Sequence, residues 1–271
     1  MIKKFVEATL AEDVGRGDLY SLISKATPTT AKVIAKSDGV LAGVKYIEVL
    51  AELENFNIEF LKDDAQSFIK GDILLKLSGD SHTILKIERT LLNILHHASS
   101  IATLTKKYVD LIDPYGVKLL DTRKTRPLLR VFEKYATRIG GATNHRLGLD
   151  DCLMLKDTHL KTITNLEEYI KNARKKIPFT SKIEIEAETY EQAVEFMRVG
   201  ADIVMCDNMD HSKLKRVVEF RDRNFQSTLL EASGNISLDT IESYAKCGVD
   251  AISSGSLIHQ ANWIDLSMKV D

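Results

Sequence analysis

A chain of 271 residues, 44% hydrophobic and 28% charged, can bury a sizeable core without staples, as one large α/β domain or as a barrel with a smaller attached domain. Its formal charge of -2 is not polybasic, so nucleic acid is not an expected partner. No apolar run approaches the roughly 20 residues of a membrane span, and acid and glycine in MIKKFVEATLAEDVGRGD interrupt any signal-peptide core. The expectation is a cytoplasmic protein with no membrane partner.

Residues 3–13 predict a short helix with Phe5, Val6 and Leu10 on one side, stopped by GRGD at 15–18. From 31 to 77 the pattern changes to short apolar runs, KVIAKS, VLAGV, FNIEFL and DILLKL, with helical spacing at Val44, Ile47 and Leu50. A small α+β domain fits this region. Residues 83–112 predict a long helix, with Ile87, Leu91, Ile94, Leu95 and Ile101 sustaining the period and Pro114 and Gly116 ending it. His96 and His97 are adjacent on that helix, point in different directions, and suit packing or an interface better than catalysis.

The remainder alternates strands with helices. The strands are VKLLD at 117–121, CLMLK at 152–156, KIEIEAE at 182–188, DIVMCD at 202–207, STLLEA at 227–232 and DAISS at 250–254. Helices are predicted near 129–138, 164–176, 189–199, 210–223 and 238–247. Alternation of this kind gives a parallel sheet with right-handed crossovers. The domains expected are 1–110, an α+β domain with its connecting helix, and 111–271, an α/β barrel whose C-terminal tail is free to return to the first domain.

Chemistry falls at the strand ends: DTRK at 121–124, KDTH at 156–159, EAE at 186–188, DN at 207–208, EASG at 231–234 and SSG at 253–255. Parallel α/β folds bind ligands at the carboxyl ends of their strands. A barrel would bring all six ends to one mouth, whereas an open doubly wound sheet would spread them along an edge; the barrel is preferred. Arg123, Lys124, His145, Arg146, Lys156 and His159 supply positive charge and donors. Glu186 and Asp207 supply carboxylates from adjacent strands, although Asp207 could equally cap the following helix. Glu184, Glu186 and Glu188 alternate on one strand and are expected on one inward face, where they would repel unless cations meet them. Gly234 and Gly255 follow strand ends, where free backbone amides can hold phosphate oxygens. Anionic substrates with a divalent ion would use this whole inventory.

Several signatures are missing: there is no HExxH, no GxGxxG and no GxxxxGK[ST] in the chain. Cys152, Cys206 and Cys247 form no CxxC pair, and Cys152 and Cys206 are expected as buried thiols in a reducing compartment.

Taken together, these motifs resemble the quinolinate phosphoribosyltransferases, also called carboxylating nicotinate-nucleotide pyrophosphorylases. The segments are LAEDVGRGD (10–18), ERTLLNILHHASSIAT (88–103), DTRKTRPLLRVFEKYA (121–136), GGATNHRLGLDDCLMLKDTHL (140–160), IEIEAE (183–188), ADIVMCDNM (201–209), LEASGNI (230–236) and CGVDAISSGSLIH (247–259). They keep family order over nearly the whole chain. The resemblance implies an N-terminal α+β sandwich-like domain plus an open six-stranded α/β barrel. It implies transfer of phosphoribose to quinolinate with release of pyrophosphate and carbon dioxide.

By the same resemblance Arg89 would enter the neighbouring subunit's site in a homodimer with shared active sites, with a hexamer as a trimer of dimers the larger possibility. Arg123, Lys124, His145, Arg146 and Lys156 would hold quinolinate and phosphate groups. Glu186 and Asp207 would lie near ribose and the Mg2+ associated with phosphoribosyl pyrophosphate, and Ser233, Gly234 and Gly255 would help bind the 5-phosphate. Lys156, Glu186 and Asp207 are the expected catalytic set. Departures from the family pattern are Leu128 and Ala142 where glycine is common, Ser100 likewise, and Arg126, which adds charge. A ModD-like phosphoribosyltransferase with another acceptor shares similar motifs. More remote alternatives are a barrel lyase using Lys156 as a Schiff base and a noncatalytic anion-binding barrel.

Overall fold

The computed structural model describes every residue, Met1–Asp271. Two compact units are present. One comprises Met1–Lys106, Arg138–Gly141 and Ala261–Asp271, and the other Lys107–Thr137 and Ala142–Gln260.

The first unit begins with α1 (Ile2–Val14), α2 (Leu19–Ile23), β1 (Pro28–Ala35), β2 (Gly39–Val40), α3 (Val44–Glu54), β3 (Asn57–Phe60), β4 (Ser67–Phe68) and β5 (Ile73–Asp80). β1 buries Ala31, Val33 and Ala35 and leaves the residues between them less covered, the period-2 alternation of a half-buried strand. Of the run VLAGV at 40–44, only Val40 lies in β2, opposite Ser67, and Leu41 adds backbone hydrogen bonds to Ala65 and Gln66. Asp64 Oδ1 accepts from the amides of Gly43 and Val44 at 3.0 and 3.1 Å and so caps α3 at Val44, inside the stretch 40–53 whose spacing reads as helical.

The long helix α4 (Ser81–Ile112) starts two residues before its predicted position. Asp80 caps it, accepting from the Thr83 amide at 3.0 Å and the Thr83 hydroxyl at 2.7 Å. Ile84, Ile87, Leu91, Ile94, Leu95, Ala98 and Ile101 are all buried, as the helical period requires. Gly116, at φ 66°, closes the turn that ends this stretch. The last strand, β12 (Leu266–Val270), pairs antiparallel with β1, from Ala35 opposite Leu266 to Ala31 opposite Val270. The resulting antiparallel sheet has the order β12-β1-β5-β3. His96 belongs to this unit's packing: its Nε2 accepts the Leu266 amide at 3.1 Å, and its ring meets Trp263 edge-on.

The second unit contains β6 (Lys118–Leu120), α5 (Arg130–Ile139, which ends in the first unit), β7 (Leu153–Leu155), α6 (Asp157–Leu160), α7 (Leu166–Lys176), β8 (Ile183–Ala187), α8 (Tyr190–Arg198), β9 (Ile203–Asp207), α9 (His211–Asn224), β10 (Leu229–Ser233), α10 (Ile241–Ala245), β11 (Ala251–Ser253) and α11 (Ser256–His259). All six predicted strands form. They pair in parallel in the order β6-β11-β10-β9-β8-β7. β6 and β7 are thus consecutive in the chain yet lie at opposite edges of the sheet, which is the topology of an opened α/β barrel. At the β6 edge, Thr143 forms a parallel bridge with Leu120, its amide donating to the Leu119 carbonyl at 2.8 Å. The segment after α5 therefore extends the sheet where a closing strand would lie.

Candidate active site

Residues two apart on a strand face the same way, and the barrel interior shows this register plainly. Lys156 follows β7, Glu186 lies on β8, Asp207 ends β9 and Ser233 ends β10. They meet at the carboxyl-end mouth, around a cavity of about 450 Å³. Arg123, Lys124, His145, Arg146 and Gly234 border the same cavity. Gly255 lies on an adjoining cavity of about 230 Å³, which shares Lys124, Ser233 and Gly234 with the first. A larger cavity, about 790 Å³, opens at the amino ends of the strands beside Lys118, Lys182 and Asp250. Parallel barrels place their chemistry at the carboxyl end, so size does not decide which cavity is the site.

Two predicted residues stand apart. His159 is exposed and borders neither mouth cavity. Its Nδ1 accepts the Lys156 amide at 3.0 Å, so it shapes the turn that carries Lys156. Arg89 is exposed on α4, in the first unit. The expectation of three inward acids on one strand is also corrected. β8 stops at Ala187 and leaves Glu188 exposed, while Glu184 and Glu186 each find a cation on a different level of the interior.

Charge at the mouth is crowded. Lys156 Nζ forms an ion pair with Glu186. Burial, and then the neighbouring charges of Arg146 and Arg130, hold the Arg123 guanidinium below its ordinary pKa. Like charges held this close favour an anion between them. Arg146 is aimed by its own contacts, donating to the Cys152 carbonyl at 3.1 Å and to Met154 Sδ at 3.3 Å.

Behind the mouth, the Asn144–Arg146 segment is pinned by a network that sequence reasoning missed. Asp121, wholly buried, accepts from Lys134 Nζ at 2.5 Å, Thr137 Oγ1 at 2.9 Å, Asn144 Nδ2 at 2.6 Å and the His145 amide at 2.9 Å. Lys134 also donates to the His145 carbonyl at 2.8 Å. Burial lowers the Lys134 pKa, and Asp121 opposes that shift.

His145 points into the barrel interior. Its Nε2 lies 3.2 Å from Glu184 and 3.3 Å from Glu231, and both acids are buried. Burial lowers the ring's pKa, but the hydrogen bonds to Glu184 and Glu231 outweigh it and raise the value to about 10. The Arg146 amide, 2.7 Å from Nδ1, instead favours a ring bare at that nitrogen. In either form Nε2 carries a proton between two carboxylates. Both ring nitrogens therefore have partners within the protein, while the residue also borders the mouth cavity, where the resemblance sets it among the substrate-holding groups.

Gly234 has φ 95°, and a Cβ there would stand 2.3 Å from Asn208 Oδ1 and 2.8 Å from Asn208 N. Only glycine fits. Asn208 in turn donates to Asp207 Oδ2 at 2.7 Å and accepts from Asn235 Nδ2 at 3.0 Å. Asn208 and Asn235 border the cavity and were not singled out from sequence. Their positive φ, 53° and 50°, is the kind of turn for which asparagine is a sequence signal.

An opened parallel barrel with clustered cations and two carboxylates at its mouth defines a protein built to handle polyanionic small molecules. Family comparison narrows this: the N-terminal domain of quinolinate phosphoribosyl transferase matches residues 18–99, and its C-terminal domain matches residues 101–269. The chain belongs to the quinolinate phosphoribosyltransferase family. It is 38% identical over 271 residues to the probable carboxylating nicotinate-nucleotide pyrophosphorylase of Methanothermobacter thermautotrophicus, covering 98% of this chain and 97% of that one. The Bacillus subtilis counterpart is 37% identical, covering 99% and 93%. Among solved structures, the nicotinate-nucleotide pyrophosphorylase from Francisella tularensis superposes with a TM-score of 0.92 at 34% identity, covering 100% of this chain and 96% of that one. NadC from Streptococcus pyogenes gives 0.93 at 35% identity, with the same coverage. No helix is long and apolar enough to cross a membrane.

Proposed function

We propose that the chain transfers phosphoribose from phosphoribosyl pyrophosphate to quinolinate and releases pyrophosphate and carbon dioxide, leaving nicotinate mononucleotide. The observation that carries this reading is the convergence of Arg123, Lys124, Arg146 and Lys156 with Glu186 and Asp207 on one cavity. The cations hold the two quinolinate carboxylates and the phosphates. Ser233, Gly234 and Gly255 serve the 5-phosphate. Glu186 and Asp207 offer hard oxygen donors that suit the Mg2+ accompanying the pyrophosphate, an ion that neutralises charge on the leaving group.

The pyridine nitrogen attacks C1 of the ribose, and the C1–oxygen bond to pyrophosphate breaks as the N–C1 bond forms. Positive charge develops on the ribose, where Glu186 and Asp207 stabilise it, while the basic residues stabilise the departing anion. Orientation, rather than a protein nucleophile, lowers the barrier. The quaternised ring then accepts the electron pair of the adjacent C–carboxylate bond. Carbon dioxide leaves, and a proton replaces it on the ring carbon.

Incubation with quinolinate, phosphoribosyl pyrophosphate and Mg2+ should produce nicotinate mononucleotide, pyrophosphate and carbon dioxide in equal amounts. Transfer to an acceptor that is not a pyridine carboxylate, with none to quinolinate, would overturn the reading in favour of the ModD-like one. The working form proposed is a cytoplasmic homodimer with shared active sites. Arg89, exposed on α4, completes the partner's quinolinate site. Mixing Arg89→Ala with Lys156→Ala subunits tests this: one site in each mixed dimer regains both groups, so activity should rise above either parent. Verified subunit exchange without recovery contradicts a shared site.

A further inference from the structure

Parallel barrels normally fill their interior with branched apolar side chains. Here one level of the interior holds Glu184 from β8 and Glu231 from β10, 0% and 2% exposed. Burying two carboxylates is expensive unless each finds a strong partner. The imidazole they share is His145, and Glu231 Oε1 has no hydrogen-bond partner at all. For stability alone, apolar side chains at all three positions, His145 included, would serve as well or better. Departures from the packing rule of this kind belong where function demands them.

The contacts show what the arrangement holds in place. His145 borders both the mouth cavity and the amino-end cavity, so its ring stands between the two. Nε2 is fixed from below by the two acids, and Nδ1 faces the Arg146 amide at 2.7 Å. Arg146, like His145, borders both cavities, with its guanidinium held by the Cys152 carbonyl and Met154 Sδ. A continuous chain of contacts thus runs from Glu184 and Glu231, through the ring, to the backbone that carries a substrate-facing cation. The segment's gross position is secured separately by Asp121, through Asn144 and the His145 amide. That division leaves the two acids the finer task of setting ring rotation.

We propose that Glu184 and Glu231 are positioning residues for recognition of the pyridine dicarboxylate, acting through His145 and Arg146 and touching no substrate themselves. The inference rests on the quinolinate reading above. Its scope is narrow, because on that reading the sugar pyrophosphate has Lys124, Glu186, Asp207 and the glycine turns to hold it besides Arg146. Loss of the two acids should therefore disturb one substrate and spare the other.

The test is a double variant, Glu184→Met with Glu231→Met, compared with Glu184→Gln with Glu231→Gln. Methionine offers the Nε2 proton no good acceptor, whereas the glutamine amide oxygen still accepts it. The methionine variant leaves the His145 Nε2–H without an acceptor, so its unfolding midpoint should fall while it stays folded at assay temperature, and KM for quinolinate should rise about tenfold, the scale of one lost hydrogen bond to a charged group. KM for phosphoribosyl pyrophosphate should stay within about twofold, and the glutamine variant should recover most of the quinolinate affinity.

A rise in both KM values together, or failure of glutamine to rescue, would assign the acids a general structural role and overturn the proposal. So would saturable Mn2+ binding that the glutamine variant loses, because the cluster would then be a cation site. If the methionine pair does not fold, the single Glu231→Met variant decides: it keeps Glu184 and should still raise KM for quinolinate alone, and an unchanged KM sinks the idea. A wild-type enzyme that neither binds nor turns over quinolinate fells the functional reading and this inference with it. Normal variants of an active enzyme fell only this inference.

Discussion

Two lysine–carboxylate pairs in the barrel unit look alike in sequence and differ in kind. The Lys134–Asp121 side chains are 1% and 0% exposed, and Asp121 accepts from four donors. The Lys156–Glu186 side chains are 41% and 10% exposed and open onto the mouth cavity. The first pair is closed: every oxygen has a partner, and nothing remains for a ligand. The second pair is open, and a substrate oxygen or a cation can exchange for either member. The two pairs differ in whether any bonding capacity is left over for another group.

Breaking the closed pair should have the largest effect. Asp121→Ala leaves Lys134 charged, buried and uncompensated, which costs about 3–5 kcal/mol. Denaturant unfolding should show that loss, and turnover should fall as well because the Asn144–Arg146 segment loses its anchor. A loss below about 1 kcal/mol, the scale of a surface pair, would mean that the network is not closed.

The open pair should behave in the opposite way. Lys156→Ala should reduce turnover on the order of 100-fold or more, equivalent to about 2.7 kcal/mol of transition-state stabilisation. It should cost only about 1 kcal/mol in stability, because Glu186 faces a cavity that water can fill. Near-normal turnover at saturating and limiting substrate, or severe unfolding, would erase the contrast.

A third, smaller effect extends the comparison to the other unit, where His96 is buried without an acid against its ring nitrogens. Burial is the main cause of its lowered pKa, partly offset by the Leu266 carbonyl and Asp265. The folded state therefore prefers the neutral ring, and the unfolded chain takes up the proton first as pH falls. Stability should be full above the unfolded pKa of about 6.5 and decline below it. Unfolding measured from pH 8 to pH 5 should show this slope in the wild type and a weaker slope in His96→Gln. Equal slopes would remove His96 as the cause.

The smallest effect is expected at Leu128, fully exposed with φ 65°, where the resemblance expected a glycine. A left-handed leucine costs roughly 1–2 kcal/mol, and glycine returns about 0.5–1 of that in chain entropy. Leu128→Gly should therefore stabilise by under about 1 kcal/mol. A clear loss of stability would show that the leucine makes contacts worth its strain.

The open pair was legible in the sequence and the closed pair was not, for a physical reason. Lys156, Glu186 and Asp207 each end an apolar strand, so local pattern plus the parallel-barrel rule places them together. Lys134 sits on α5 among Phe132, Glu133, Ala136 and Thr137, all buried. A reader of periodicity assigns such charges to solvent, and only the packed fold shows that Asp121 meets them. Glu184 was legible as an inward acid in need of a cation, but its sharing of that cation with Glu231 was not, because His145 arrives from a third segment. His145 was noticed, but the direction of its ring was not, since the choice between substrate and buried acid is made by those two strands. The strand boundaries fell within one or two residues, whereas predicted helix 238–247 contracted to Ile241–Ala245, its start taken up by the Ser237–Thr240 turn.

The pairing of β12 with β1 has a consequence for synthesis. Ala31 finds Val270 opposite it, so that side of β1 stays unpaired on the ribosome until residues 266–270 have emerged. An unpaired strand edge is a template for foreign strands, and closing so long a loop is slow to reward. Translation thus hands over a finished barrel before a finished first unit. A growing chain stalled before residue 266 should expose β1 to chaperones or aggregation, and addition of the last strand should end that exposure.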